Sequence, residues 1–177
     1  MARNNAFLLK DTIGTPGTGV TAQEFGDRSQ RQTVLTINYT LPAIAGGANL
    51  AVGRKIYTLP AGAARVTSTS MSVSIKQTEA HITADTPDVG IGTTIGSGAV
   101  AVLGGTAAFE NILTGQTAAD CDGTNTVKSV DTSLVIESAD SHDIYLNVAD
   151  GWAASGDAAA LLRGTVVINW QPLSVPA

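Results

Sequence analysis

Ser141, His142 and Asp143 stand side by side in a chain of 177 residues. They are the residue types of a nucleophilic triad. A proton relay needs their side chains to converge, whereas neighbours on an extended chain point in different directions. No Gly-x-Ser-x-Gly elbow accompanies them. Cys121 is the single cysteine, so no intrachain disulfide is possible, and its only histidine partners are His81 and His142, neither in a recognisable motif. It reads as a structural thiol in a loop rather than as a nucleophile. The run Asp120-Cys121-Asp122-Gly123-Thr124-Asn125 faintly resembles a calcium loop. Its acids miss the required spacing and no distal glutamate follows, so a tight Asp-Gly turn is expected. Gly90-Ile91-Gly92 opens like a dinucleotide loop but lacks the third glycine, the helix and the downstream acid. Glycines inside strands more often mark bulges or close backbone approach. Glu79, Glu110 and Glu137 carry nothing in their local sequence that marks paired-carboxylate chemistry. Trp152 and Trp170 are candidates for stacking on a sugar. Trp170 has the strand parity of a core residue, while Trp152 falls in an expected loop. This inventory predicts a protein that is not an enzyme, with no catalytic residue, no cofactor and no metal.

Composition points the same way. Charged residues make up 14% of the chain, against about a quarter in ordinary domains, and aromatics 5%. Hydrophobic residues reach 44%, enough for a real core in one domain of this length. Small neutral residues fill the remainder, including 19 glycines. Such a surface suits packing against another protein. The net charge of −5 is unevenly distributed. Residues 1–78 carry eight basic and three acidic side chains, and residues 79–177 two basic and twelve acidic. Halves of opposite sign would steer the molecule onto a partner or a copy of itself, unless the fold intermixes them. The acidic balance and scarce aromatics argue against nucleic acid. No run approaches membrane-spanning length. The apolar stretch Ala6–Leu9 is too short for a signal peptide, so synthesis in a cytoplasm with no visible route of export is expected.

The elements that would position any site are strands. In Thr33–Leu41, residues Leu35, Ile37, Tyr39 and Leu41 alternate with polar ones, the period of a half-buried strand. Further strands are expected at Lys55–Leu59, Arg65–Gln77, Ala99–Leu103, Thr126–Val130, Ser133–Glu137, Asp143–Val148 and Gly164–Gln171. Val89 and Ile91 alternate with glycines, and Phe109–Thr114 is read as one helical turn. In Arg65–Gln77 a serine face, Ser68 to Ser74, alternates with Thr69, Met71, Val73 and Ile75. About eight strands with turn signals between them imply an all-β antiparallel β-sandwich, jelly-roll-like, over residues 33–177. Residues 1–32 read as an extended N-terminal arm bearing Arg3, Phe7, Leu8, Leu9, Lys10, Phe25, Arg28 and Arg31 as its partner-binding pegs and charges.

The phrases YTLPAGAARV, PDVGIGT with GAVAVLGG, DIYLNVADGW and GTVVINW, spread over roughly Ile56 to Trp170, resemble head decoration, or cement, proteins of tailed bacteriophages. The resemblance implies a virion structural protein, a β-sandwich on the outer capsid surface. It would bridge major capsid protein subunits as a homo-oligomer, trimer or dimer, and stabilise the head without a cofactor. The alternative is a receptor- or carbohydrate-binding β-sandwich on a phage tail or fibre, with Trp152 and Asp120–Asp122 as its candidate residues.

Overall fold

The computed structural model describes residues 14–27, 29–41, 51–77, 86–96, 103–104, 108–149 and 159–173. These form ten strands: β1 (Thr15–Pro16), β2 (Val20–Gly26), β3 (Arg31–Thr40), β4 (Val52–Thr58), β5 (Ala64–Gln77), β6 (Asp88–Gly92), β7 (Leu113–Thr117), β8 (Asp122–Ile136), β9 (Asp143–Ala149) and β10 (Ala160–Pro172). No helix occurs among the described residues. Two five-stranded sheets result, one in the order β1-β4-β9-β6-β7 and the other β2-β3-β10-β5-β8. Every pairing is antiparallel.

The pairings nest. β3 pairs with β10, β4 with β9, β5 with β8 and β6 with β7, as if one long hairpin had been rolled up. The contacts β10–β5 and β9–β6 close the roll into two sheets. This is the two-sheet jelly roll of eight strands. β1 and β2 add one strand to the edge of each sheet.

The strand periodicity expected from sequence is the physical basis of the core. On β3 the residues Leu35, Ile37 and Tyr39 point inward, and on β5 Met71, Val73 and Ile75 do the same. They meet Ile144, Leu146 and Val148 of β9 and Val89 and Ile91 of β6 from the facing sheet. Val166, Ile168 and Trp170 of β10 complete the layer.

Three expectations need correction. The arm boundary at residue 32 falls inside a hairpin. Residues 14–27 belong to the sandwich, where β2 pairs with β3 along seven positions and Val20 enters the core. Asp27 Oδ1 shapes this hairpin's turn by accepting bonds from the Ser29 and Gln30 backbone N–H groups, at 2.7 and 3.0 Å. The expected helical turn at Phe109–Thr114 is instead a bend that runs into β7. The two strands expected at Thr126–Val130 and Ser133–Glu137 are one strand, β8, with register irregularities opposite Val66–Ser68 and Ser74–Lys76 of β5. Within the strand expected at Ala99–Leu103, residues 99–102 lie outside the described residues.

Candidate functional site

The two sheets differ in what covers them. On the sheet of β4, β9 and β6, the outward side is packed by the chain itself. Ala51, Leu103, Phe109 and Ala149 form a second small apolar cluster there. Asn147, fully buried on β9, fastens this cover. Its Oδ1 accepts from the Gly96 N–H at 2.8 Å, and its Nδ2 donates to the carbonyls of Thr94 at 3.0 Å and Phe109 at 2.7 Å. Gly92 of β6 explains how the cover sits so close. A Cβ there would drive into the Ala108 carbonyl oxygen and the Phe109 backbone. Close approach is thus what the glycines of the Gly90-Ile91-Gly92 run provide.

Among the described residues nothing packs over the outer side of the other sheet: Thr21, Gln23, Thr36, Val127 and Ser129 are exposed, and Val34, Thr165, Val167, Ser70 and Ser72 are half-buried. Strand register arranges its outward side chains in rows across all five strands. One row is Gln23, Val34, Val167, Ser70 and Ser129; the next is Thr21, Thr36, Thr165, Ser72 and Val127. Neither row holds a charged side chain. The row nearest the β2–β3 turn is Phe25, Gln32, Asn169, Ser68 and Asp131. On the far side, Arg163 donates from Nε to Asn38 Oδ1 at 3.1 Å.

At the β2–β3 end this face dips into an open groove of about 480 Å³, lined by Phe25, Gly26, Asp27, Gln30, Arg31, Gln32, Thr67, Ser68 and Asn169. Gly26, at a φ of 120°, lets the chain turn there. Thr67 is the extra residue where the β5–β10 register shifts, and its Oγ1 donates to the Asn169 carbonyl at 3.1 Å. The side chains of the row are linked. Gln32 Nε2 donates to Asn169 Oδ1 at 3.1 Å, and Asn169 Nδ2 donates to Ser68 Oγ at 2.9 Å.

Beneath the groove lies a buried polar cluster. Arg31 stacks over the Trp170 ring, 5.1 Å from its centroid, and pairs with Glu24 at 3.8 Å. Trp170 Nε1 donates to Thr33 Oγ1 at 3.0 Å. Glu24 Oε1 accepts from the Gly14 N–H at 3.3 Å, and the same N–H reaches the Tyr57 hydroxyl at 2.9 Å. Burial pushes the Glu24 carboxyl above its ordinary value, outweighing the Gly14 hydrogen bond and the Arg31 charge.

The residue sets singled out from sequence do not converge. His142 Nε2 donates to the Gly62 carbonyl at 2.9 Å, and Ser141 Oγ accepts from the Asp143 N–H. Asp143 is held by the Thr58 hydroxyl, by the Tyr145 hydroxyl at 3.1 Å and by Lys55 at 3.4 Å. Burial opposes its charge, but these donors outweigh burial and hold the carboxyl below its ordinary value. Cys121 is fully buried in the core. Asp122 caps its own turn through the Thr124 N–H at 2.8 Å, with Gly123 at a φ of 104°. No group of three metal-ligating side chains occurs among the described residues. Glu110 accepts from the Gly115 N–H, and Glu137 is exposed.

Of the arm residues, Arg3, Phe7, Leu8, Leu9, Lys10 and Arg28 lie outside the described residues, as do Glu79, His81 and Trp152. Phe25 is half-buried on the edge strand. Arg31, expected as a partner-binding charge, pairs with Glu24 and stacks on Trp170 within its own domain. The groove residues Gln32, Ser68 and Asn169 carried no motif, because strand register alone brings them together. Comparison with protein-family models, with curated proteins and with solved structures finds no match.

Proposed function

We propose that this chain is a structural protein of a tailed-bacteriophage particle, seated on the outer surface of the head against the major capsid protein and further copies of itself. The observation that carries this reading is the open face of the β2-β3-β10-β5-β8 sheet, whose two central rows are wholly uncharged. Loss of charge at the centre of a patch is the compositional mark of a protein interface. Five strands spaced by about 4.8 Å and eight residue steps of about 3.4 Å give a face of roughly 24 by 27 Å. That is on the order of 650 Å², close to the ~800 Å² per partner of a standard interface. Shallow contacts of this kind gain strength by repetition over a symmetric lattice. The phrase resemblance supplies the lattice, and the role requires no bond to be made or broken.

The test is an electron-microscopy reconstruction of the native particle, together with rebinding to shells stripped of decoration. Density for the sandwich on the head, and loss of occupancy in Thr165→Asp and Ser72→Asp variants that remain folded, are the expected results. Full occupancy by both variants would remove the face from the interface. Absence of the chain from the head would remove the reading altogether.

A further inference from the structure

We propose that the groove beside the β2–β3 turn is a saccharide-binding site, taking a neutral pyranose unit against Phe25 and the side-chain amides of Gln32 and Asn169. The inference concerns the free chain and does not rest on the virion reading; a partner covering the whole face would also cover the groove.

Strand register assembles the site. Phe25, Gln32, Asn169 and Ser68 come from four adjacent strands and fall in one row. Their polar groups run in one direction, Gln32 to Asn169 to Ser68, through bonds of 3.1 and 2.9 Å. These bonds fix which amide atoms point where. They leave the Gln32 carbonyl oxygen as an acceptor, one N–H on each amide as a donor, and the Ser68 hydroxyl hydrogen to give. Donors and acceptors therefore alternate from Gln32 to Ser68, all uncharged, with the carboxylate of Asp131 next along the row on β8. A sugar hydroxyl both gives and accepts a hydrogen bond, so vicinal hydroxyls match such a row.

Phe25 supplies the second half of sugar recognition. Parity on β2 turns Val20 and Glu24 inward and Phe25 outward, and the ring is half-buried at the groove wall. An aromatic face there can pack against the aliphatic side of a pyranose ring. Volume agrees: about 480 Å³ lies within the range of ~300–1,000 Å³ for small-molecule sites. Because the groove is open, it would admit a unit within a longer chain.

Charge selects among ligands. The described cation of the groove, Arg31, is paired with Glu24 beneath it. Asp27 stands at the rim, and the Ser29 hydroxyl and the Ser29 and Gln30 N–H groups hold its carboxyl below the ordinary range. All three donors go to Oδ1, which leaves Oδ2 as an acceptor for a hydroxyl. A fixed carboxylate repels phosphates and acidic sugars while accepting hydrogen bonds from neutral ones.

The experiment titrates the intact chain with defined glycans while following the side-chain amide resonances of Gln32 and Asn169 and the indole N–H of Trp170. The panel holds neutral disaccharides (maltose, cellobiose, lactose, mannobiose), their sialylated or uronic acid counterparts, and a short peptide pool. At least one neutral glycan should shift the two amide signals with micromolar to millimolar affinity. Phe25→Ala and Gln32→Ala, both on the outer face, should each weaken binding about tenfold or more. Backbone spectra would establish that each variant is folded, and saturation transfer from groove protons to the sugar gives a second readout on the unmodified chain. Three results would overturn the proposal: no neutral glycan binding at about 10 mM, a response to acidic sugars or peptides alone, or neutral-glycan binding unaltered by both substitutions.

Discussion

Replacing Asn147 with Ala isolates what the self-packed sheet owes to one side chain. Asn147 makes three hydrogen bonds, one from Gly96 and two to the Thr94 and Phe109 carbonyls, and is fully buried. At about 1 kcal/mol net for each bond, the loss is about 3 kcal/mol. Stranding the Gly96 N–H and the Phe109 carbonyl without water would raise it. Unfolding entropy of about 2.1 cal/mol/K per residue over this chain turns 3 kcal/mol into a Tm drop of ~8 °C. Differential scanning calorimetry reads that drop. Hydrogen exchange should show it as faster exchange at the Thr94, Gly96 and Ile112 amides before the jelly-roll strands open. Asn147→Asp separates the accepted bond from the two donated ones. It keeps the acceptor for Gly96 but turns a carboxylate oxygen toward two carbonyls. It should cost at least as much near neutral pH and recover part of the loss in acid, where the group is protonated and can donate once. A Tm change below ~3 °C for Asn147→Ala would refute the stapling role.

Other outcomes follow from the same geometry. Ile37, Val73, Leu146 and Ile168 are all at or below 1% exposure, so each change to Ala should lower stability by about 2–4 kcal/mol in urea titration. Ser70→Ala and Ser72→Ala on the open face should change it little. Gly92→Ala must push back the Ala108–Phe109 backbone, and calorimetry should show a loss of about 2 kcal/mol or more. The folded-state value of Glu24 is raised above its ordinary 4.5. Its contribution to stability is therefore present below 4.5 and lost as pH rises through the higher folded value. Glu24→Gln should flatten that part of the Tm–pH curve, and an unchanged slope would place the titration elsewhere. A truncation ending at residue 13 removes none of the described strands. One ending at residue 26 strips β2 from β3 and removes Glu24 from Arg31, and its thermal midpoint should fall well below that of the shorter truncation.

Strands that bury one face were legible because their alternation is uninterrupted, as in Leu35-Ile37-Tyr39 and Met71-Val73-Ile75. β2 escaped because its inward position 24 carries a glutamate, which reads as solvent-facing until Arg31 is placed beside it. β8 reads from sequence as two strands because Asp131, Thr132 and Ser133 interrupt its apolar positions. It is an edge strand whose outward residues meet water. β9 and β6 are legible from Ile144, Leu146 and Val148 and from Val89 and Ile91, but the sequence does not show that their outward side is buried as well. Both of their faces are covered, one by the core and one by the chain's own overlay, so Asn147, Ala149 and the glycines fill positions that would otherwise be polar and exposed. The groove had no local signature at all. Phe25, Gln32, Ser68 and Asn169 are ordinary residues in sequence, and only the pairing of four strands makes them neighbours.

The nested pairing also sets an order of events for the nascent polypeptide. β10 lies at the centre of its sheet, between β3 and β5. While residues 160–172 are still in the ribosome, β3 and β5 have each lost their common neighbour, and both keep a bare hydrogen-bonding edge. The first strand of the roll must wait for the last, so loop closure comes before most of the rewarding contacts. Folding should then occupy milliseconds to seconds rather than microseconds. Crowded synthesis of many copies at once would make that waiting period the moment of greatest exposure to mispairing between chains. The short side chains and sparse apolar surface of the open sheet limit what such encounters can gain.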